Sequence, residues 1–195
     1  MSGFTYDDGR PASDFYETPV CATQTLLAEI AIPGPVWEPA CGKGAISDVL
    51  LASGKTVLSS DLFHHGYGVS GIDFLEVAPP TGARSIVTNP PYSIANEFAK
   101  KAISDVKKTD GVLALLLRLS WLESLKRQKQ IFEPDPVHHV VVFSRRLPMM
   151  HRPEYTGKKS TSTVAYAWFV WDYTGKFIGM NSHLPQIMWA DWRQQ

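Results

Sequence analysis

Hydrophobic positions in this chain recur at two alternating periods. Val20, Thr23, Leu26, Leu27 and Ile30 follow helical spacing. They come directly after Thr18-Pro19, where Thr offers an N-cap acceptor and Pro a preset first turn. Pro33-Gly34-Pro35 breaks that helix and leads into a short apolar run, Val36-Trp37-Glu38, and then Pro39-Ala40-Cys41-Gly42-Lys43-Gly44. Helical spacing resumes at Ile46, Val49 and Leu50 and closes at Gly54, a left-handed C-cap. Residues 56–62 read as a strand, followed by a connection through Gly66, Gly68 and Gly71 and a weaker strand ending near Asp73. A β-branched run at residues 84–88 precedes Asn89-Pro90-Pro91-Tyr92 and a helix over residues 93–108, with Ile94, Phe98 and Ala102 on its apolar stripe. This alternation predicts βαβ units on a parallel sheet with helices on both faces.

The pattern changes after the strand at 111–117 and a basic helix at 122–132. Residues 137–143 and 163–171 read as strands with no convincing helix between them, which predicts an antiparallel pair at the sheet edge and seven strands in all. The expected class is α/β, a doubly wound and mostly parallel seven-stranded sheet, in one domain spanning residues 1–195. The longest apolar run, residues 112–117, stops at Arg118 and is too short to cross a bilayer. Residues 1–10 are polar and acidic without a signal-peptide core, and the two cysteines, Cys21 and Cys41, show no metal or disulfide spacing. A reducing, cytoplasmic setting is expected.

Composition fits an ordinary globule, with 44% hydrophobic and 19% charged residues, and 19 basic side chains balance 19 acidic ones. The neutral total conceals a division. Residues 1–97 carry 4 basic and 11 acidic side chains, and residues 98–195 carry 15 and 8. Such a split means either two ligands of opposite sign or two solvated faces.

The turn with Gly42 and Gly44 is not a full dinucleotide fingerprint, but it sits at the end of the first strand, where open α/β sheets bind nucleotide-like ligands. Asp61 ends the second strand, near the offset at which a carboxylate reaches ribose hydroxyls. Asn89-Pro90-Pro91-Tyr92 is the most specific signal. Two prolines fix an extended backbone and remove two donors, which leaves carbonyls and the Asn amide as acceptors for a planar –NH2 group beside an aromatic face.

On these residues the sequence resembles the class I S-adenosylmethionine-dependent methyltransferases, in particular the amino-methylating DNA enzymes with an (Asn/Asp/Ser)-Pro-Pro-aromatic motif. Tyr16, Glu17, Thr18 and Pro19 resemble the family's N-terminal cofactor motif, and Glu38, Ala40, Cys41, Gly42 and Gly44 its first-strand loop. Asp61, with Leu62 beside it, resembles the ribose acid, Asp73 and Phe74 the adenine contact, and Asn89, Pro90, Pro91 and Tyr92 the catalytic motif. The order of motifs is similar to the gamma arrangement, and the late segment to compact phage enzymes. The resemblance implies a Rossmann-like fold, S-adenosyl-L-methionine as cofactor, and N6-adenine of DNA as target, flipped out of the duplex. It also implies that Asn89 and the Pro90 carbonyl hold the amine while Tyr92 stacks on the base.

The family's larger members carry a separate target-recognition domain, for which this chain has no room. The loop at residues 144–162, with Arg145, Arg146, Arg152, Lys158 and Lys159, is the expected phosphate contact, and weak, salt-sensitive binding is expected there. Cys41 reads as small filler. Trp121 is the tryptophan expected nearest substrate, and Lys126, Arg127 and Lys129 read as a solvated helix face. His64-His65 and His138-His139 read as loop and strand histidines, without a metal. Methylation of an RNA base or of a protein glutamine, and a noncatalytic cofactor-binding role, are the alternatives. Target sequence and oligomeric state are not legible.

Overall fold

A computed structural model describes residues 17–149, 163–175 and 184–194. Its strands are β1 (Val36–Glu38), β2 (Val57–Asp61), β3 (Val69–Ser70), β4 (Ser85–Thr88), β5 (Val112–Arg118), β6 (His139–Phe143), β7 (Tyr166–Asp172) and β8 (Gln186–Ala190). They form one sheet in the order β3-β2-β1-β4-β5-β7-β6-β8. The first five pair in parallel, and β7 runs antiparallel to both β5 and β6.

The expected antiparallel pair is therefore present. Eight strands replace the expected seven, because β8 pairs in parallel with β6, from His139↔Gln186 to Phe143↔Ala190. Its exposed Ile187 and Trp189 break the one-face burial that would have marked a strand in the sequence.

The central strands β1 and β4, and β5 up to Leu117, are buried at every position because both faces are covered. Leu113, Leu115 and Leu117 of β5 pack with Trp37, Ile86, Phe98, Ala102 and Val106 on one face, under α3 (Ala95–Lys107). Val112, Ala114 and Leu116 pack with Leu26, Val36, Ile46 and Leu50 on the other, under α1 (Val20–Glu29) and α2 (Ala45–Ala52). No described helix is long and apolar enough to cross a membrane.

Three local expectations change. Thr18 does not cap α1, because Pro19 takes the N-cap position and the Thr18 hydroxyl bonds elsewhere. The helix at 93–108 begins with a 3-10 turn, Tyr92–Ile94, since the two prolines fix the entry. The basic helix at 122–132 shrinks to α4 (Leu125–Arg127) running into a π turn, Gln128–Phe132. Leu122 and Leu125 are exposed there and only Ile131 is fully buried, so no long amphipathic face exists to hold a regular helix.

Candidate active site

The carboxyl ends of β1, β2 and β4 open into one cavity, about 850 Å³ of space including its solvent-open mouth. Glu17, Thr18, Glu38, Ala40, Cys41, Asp61, Leu62, Asp73, Phe74 and Asn89 to Tyr92 all line it. The structure thus brings together residues that the sequence places in five separate segments. Gly42 and Pro19 sit beside lining residues, and Tyr16 lies outside the described residues.

The loop after β1 owes its shape to Gly42 and Gly44, at φ +52° and +88°. At Gly44 a Cβ would meet the Tyr67 ring at 2.3 Å, so glycine there serves both the turn and the close approach. Tyr67 is itself tethered by a hydroxyl bond to Asp48 Oδ1 (2.8 Å). Asp61 accepts from the Gly42 amide (2.8 Å) with one oxygen and from the Phe63 amide (2.8 Å) with the other. It therefore pins the glycine loop to the end of β2, a role its strand-end position did not announce.

Glu38 is buried, its carboxylate accepting from the Ser47 hydroxyl, which also contacts Ser59 Oγ (2.6 Å). Burial pushes the Glu38 carboxyl well above its usual range, and the Ser47 bonds act in the opposite direction. The Cys41 thiol is pushed up to about 12 by burial, then by Glu38 and Asp61, and so stays protonated and unreactive. Phe74 stacks on Phe98 (centroids 4.0 Å apart) and leans on Trp37 (5.2 Å), so its ring is core that also walls the cavity. Asp73 turns Oδ1 to the Leu75 amide (2.9 Å), shaping the turn that presents Phe74.

Asn89 follows directly on β4. Its Nδ2 donates to Thr18 Oγ1 (3.1 Å), a bond joining residues 71 positions apart. That bond tethers the amide to the segment before α1, with Oδ1 as its acceptor edge. Thr18 was expected near the cofactor but not as a partner of Asn89, and no local spacing could have revealed the pairing. The Tyr92 ring, half-buried, lies 6.1 Å from Tyr166 and under the Arg118 guanidinium (5.1 Å).

The remaining expectations fare unevenly. Trp121 is 8% exposed and packs edge-on against Phe132, Phe169 and Trp171, yet it lines a small cavity beside Tyr92. Arg127 is not a solvated residue, since its guanidinium donates to the carbonyls of Trp121 (2.5 Å), Glu123 (3.1 Å) and Ser120 (3.4 Å). Lys126 and Lys129 are exposed. Of the expected phosphate contacts, Arg145 pairs with Asp191 (2.9 Å), tying the end of β6 to the end of β8, and Arg146 is exposed. Arg152, Lys158 and Lys159 lie outside the described residues. His65 lines the cavity 3.8 Å from Asp61 Oδ1, and no cluster of three metal-ligating side chains occurs among the described residues.

No family model matches the chain, and no curated protein matches it in sequence. Solved structures do resemble it. A methyltransferase subunit of a type I restriction-modification system from Streptococcus thermophilus superposes with a TM-score of 0.58 at 16% identity, over 84% of this chain and 46% of that one. A protein described as an RNA methyltransferase from Pyrococcus horikoshii gives 0.56 at 18%, over 84% and 90%. A modification subunit of a type I restriction enzyme from Vibrio vulnificus gives 0.54 at 14%, over 86% and 46%. The chain spans about half the length of the two restriction-modification subunits. At these identities the likeness is one of architecture, and the chain has the class I methyltransferase fold.

Proposed function

We propose that this chain transfers a methyl group from S-adenosylmethionine to the exocyclic N6 amine of adenine in DNA. One observation carries the reading: Asn89-Pro90-Pro91-Tyr92 lines the same cavity as the glycine loop and Asp61. The residues present fit the cofactor. Glu17, Glu38, Asp61 and Asp73 give the cavity acidic groups suited to a sulfonium, an ammonium and ribose hydroxyls, and Lys43 offers a partner for a carboxylate. When bound, the cofactor supplies an electrophilic methyl group whose leaving group is already in place.

The chain's own residues would position the nucleophile. Asn89 Oδ1 and the Pro90 carbonyl would accept the two N–H bonds of the amine, favouring pyramidal nitrogen with its lone pair toward the methyl. Holding two reactants in line is worth several kcal/mol of barrier. Tyr92 would stack on a base extruded from the duplex, since a paired amine cannot be reached. An RNA base is the second reading, favoured by the likeness to the Pyrococcus protein, which covers 84% of this chain and 90% of that one.

The test is incubation with labelled S-adenosylmethionine and separate pools of duplex DNA, single-stranded DNA, RNA and protein, followed by nucleoside analysis. N6-methyladenine in DNA is the expected product, and label in protein alone refutes the reading. Asn89→Ala or Tyr92→Ala should lower turnover by about a hundredfold or more while cofactor affinity changes by less than about threefold. Full turnover by both variants removes the assignment of the motif.

A further inference from the structure

A second pocket, about 410 Å³ of space including its solvent-open mouth, adjoins the first and shares Tyr92 with it. Ala95, Leu117, Trp121 and Tyr92 give it apolar and aromatic walls, and Ser120, Arg118 and Arg127 give it polar ones. The two arginines are in opposite states. Arg127 is spent on three carbonyls of the turn that follows β5. Arg118, the last residue of β5, is exposed and makes no side-chain hydrogen bond or ion pair with any described residue. Its recorded contact is the face of the Tyr92 ring, 5.1 Å from the centroid.

A guanidinium over an aromatic face keeps its in-plane N–H donors directed outward, where they can take a bidentate acceptor. It also covers part of the surface on which an incoming base would stack. Both properties suit a residue that is displaced from the ring by the base and receives the charged group attached to it.

We infer that Arg118 is a substrate-contacting residue that leaves the Tyr92 ring as the target base stacks there and binds a phosphodiester next to the target nucleotide. This rests on the nucleic-acid reading above. A neutral substrate such as a glutamine side chain would leave the Arg118 guanidinium without an anionic partner. Arg118 lies outside the loop at 144–162, the segment whose sequence predicts phosphate contacts.

The probes are a short mixed-sequence single-stranded DNA, its RNA counterpart, and the same DNA with an uncharged methylphosphonate backbone. Each is titrated against the full chain and Arg118→Gln at several salt concentrations, with cofactor affinity and methyl transfer measured in parallel. The expected result is about tenfold weaker binding by Arg118→Gln and a salt slope shallower by about 0.7, the value for one lost phosphate contact on a single strand. KM for transfer should rise more than kcat falls, cofactor affinity should hold, and Arg118→Lys should recover most of the slope. Wild type and Arg118→Gln should bind the methylphosphonate strand equally.

An unchanged salt slope, or equal loss on the uncharged strand, overturns the assignment of Arg118 while leaving the methyltransferase reading intact. Transfer by wild type to protein and to neither polymer overturns both. Comparing the DNA and RNA strands shows which polymer supplies the phosphate.

Discussion

On the proposed reading Asn89 holds the amine through its amide oxygen, and the bond to Thr18 Oγ1 tethers that side chain. An amide rotated by half a turn would present a donor to a donor. Thr18→Val keeps the shape and removes the hydroxyl. It should lower kcat by about tenfold, the worth of roughly one hydrogen bond. Thr18→Ser should restore turnover. Equal kcat in wild type and Thr18→Val would discard the positioning role. The residues to which the proposed chemistry is assigned were legible because their types are rare in combination: two prolines between Asn and Tyr, and glycines after a short strand. Their supporting partners were not. Thr18 to Asn89, Asp61 to Gly42 and Ser47 to Glu38 are tertiary bonds between common residue types, and nothing along the chain links them.

Elements place these residues, and α1 is fastened where the site depends on it. Trp168, fully buried in β7, donates its indole N–H to the carbonyl of Ala22 (2.8 Å), three residues after Pro19. Trp168→Phe removes the donor and leaves that carbonyl buried. The expected cost is about 1–3 kcal/mol in urea denaturation, with faster amide exchange concentrated in the first turns of α1. A loss of protection spread evenly over the sheet would contradict this local role. The long elements followed from their patterns, since β5 is apolar from Val112 to Leu117 and α3 carries one clear stripe. The short ones did not. The segment after residue 122 looked helical because its basic residues favour helix, but a helix needs an apolar face to dock, and most of this one is exposed.

The whole molecule is expected to lose stability in mild acid through two neighbouring histidines. His138 and His139 both have pKa values lowered from 6.5, chiefly by burial; beside them, Asp172 pulls the other way. The unfolded chain therefore binds protons that the native state resists, so this contribution is full above about pH 6.5 and declines as pH falls below it. Glu38 acts in the opposite sense, because its raised carboxyl is easier to bury when protonated. The informative quantity is thus the difference between wild type and a His138→Gln/His139→Gln variant. Urea midpoints should fall more steeply in wild type than in the variant between pH 7.5 and 5.5, and parallel curves would contradict the assignment.

The strand order also has a consequence during synthesis. β7 separates β5 from β6, yet β7 begins at Tyr166, long after β5 ends at Arg118. At about 5–20 residues per second, the ribosome leaves the most apolar strand of the sheet with one open edge for seconds. Once Phe143 is made, about halfway through that interval, β6 is available and β7 is not, so the nascent chain must avoid joining β6 to β5 directly or pairing that edge with another chain.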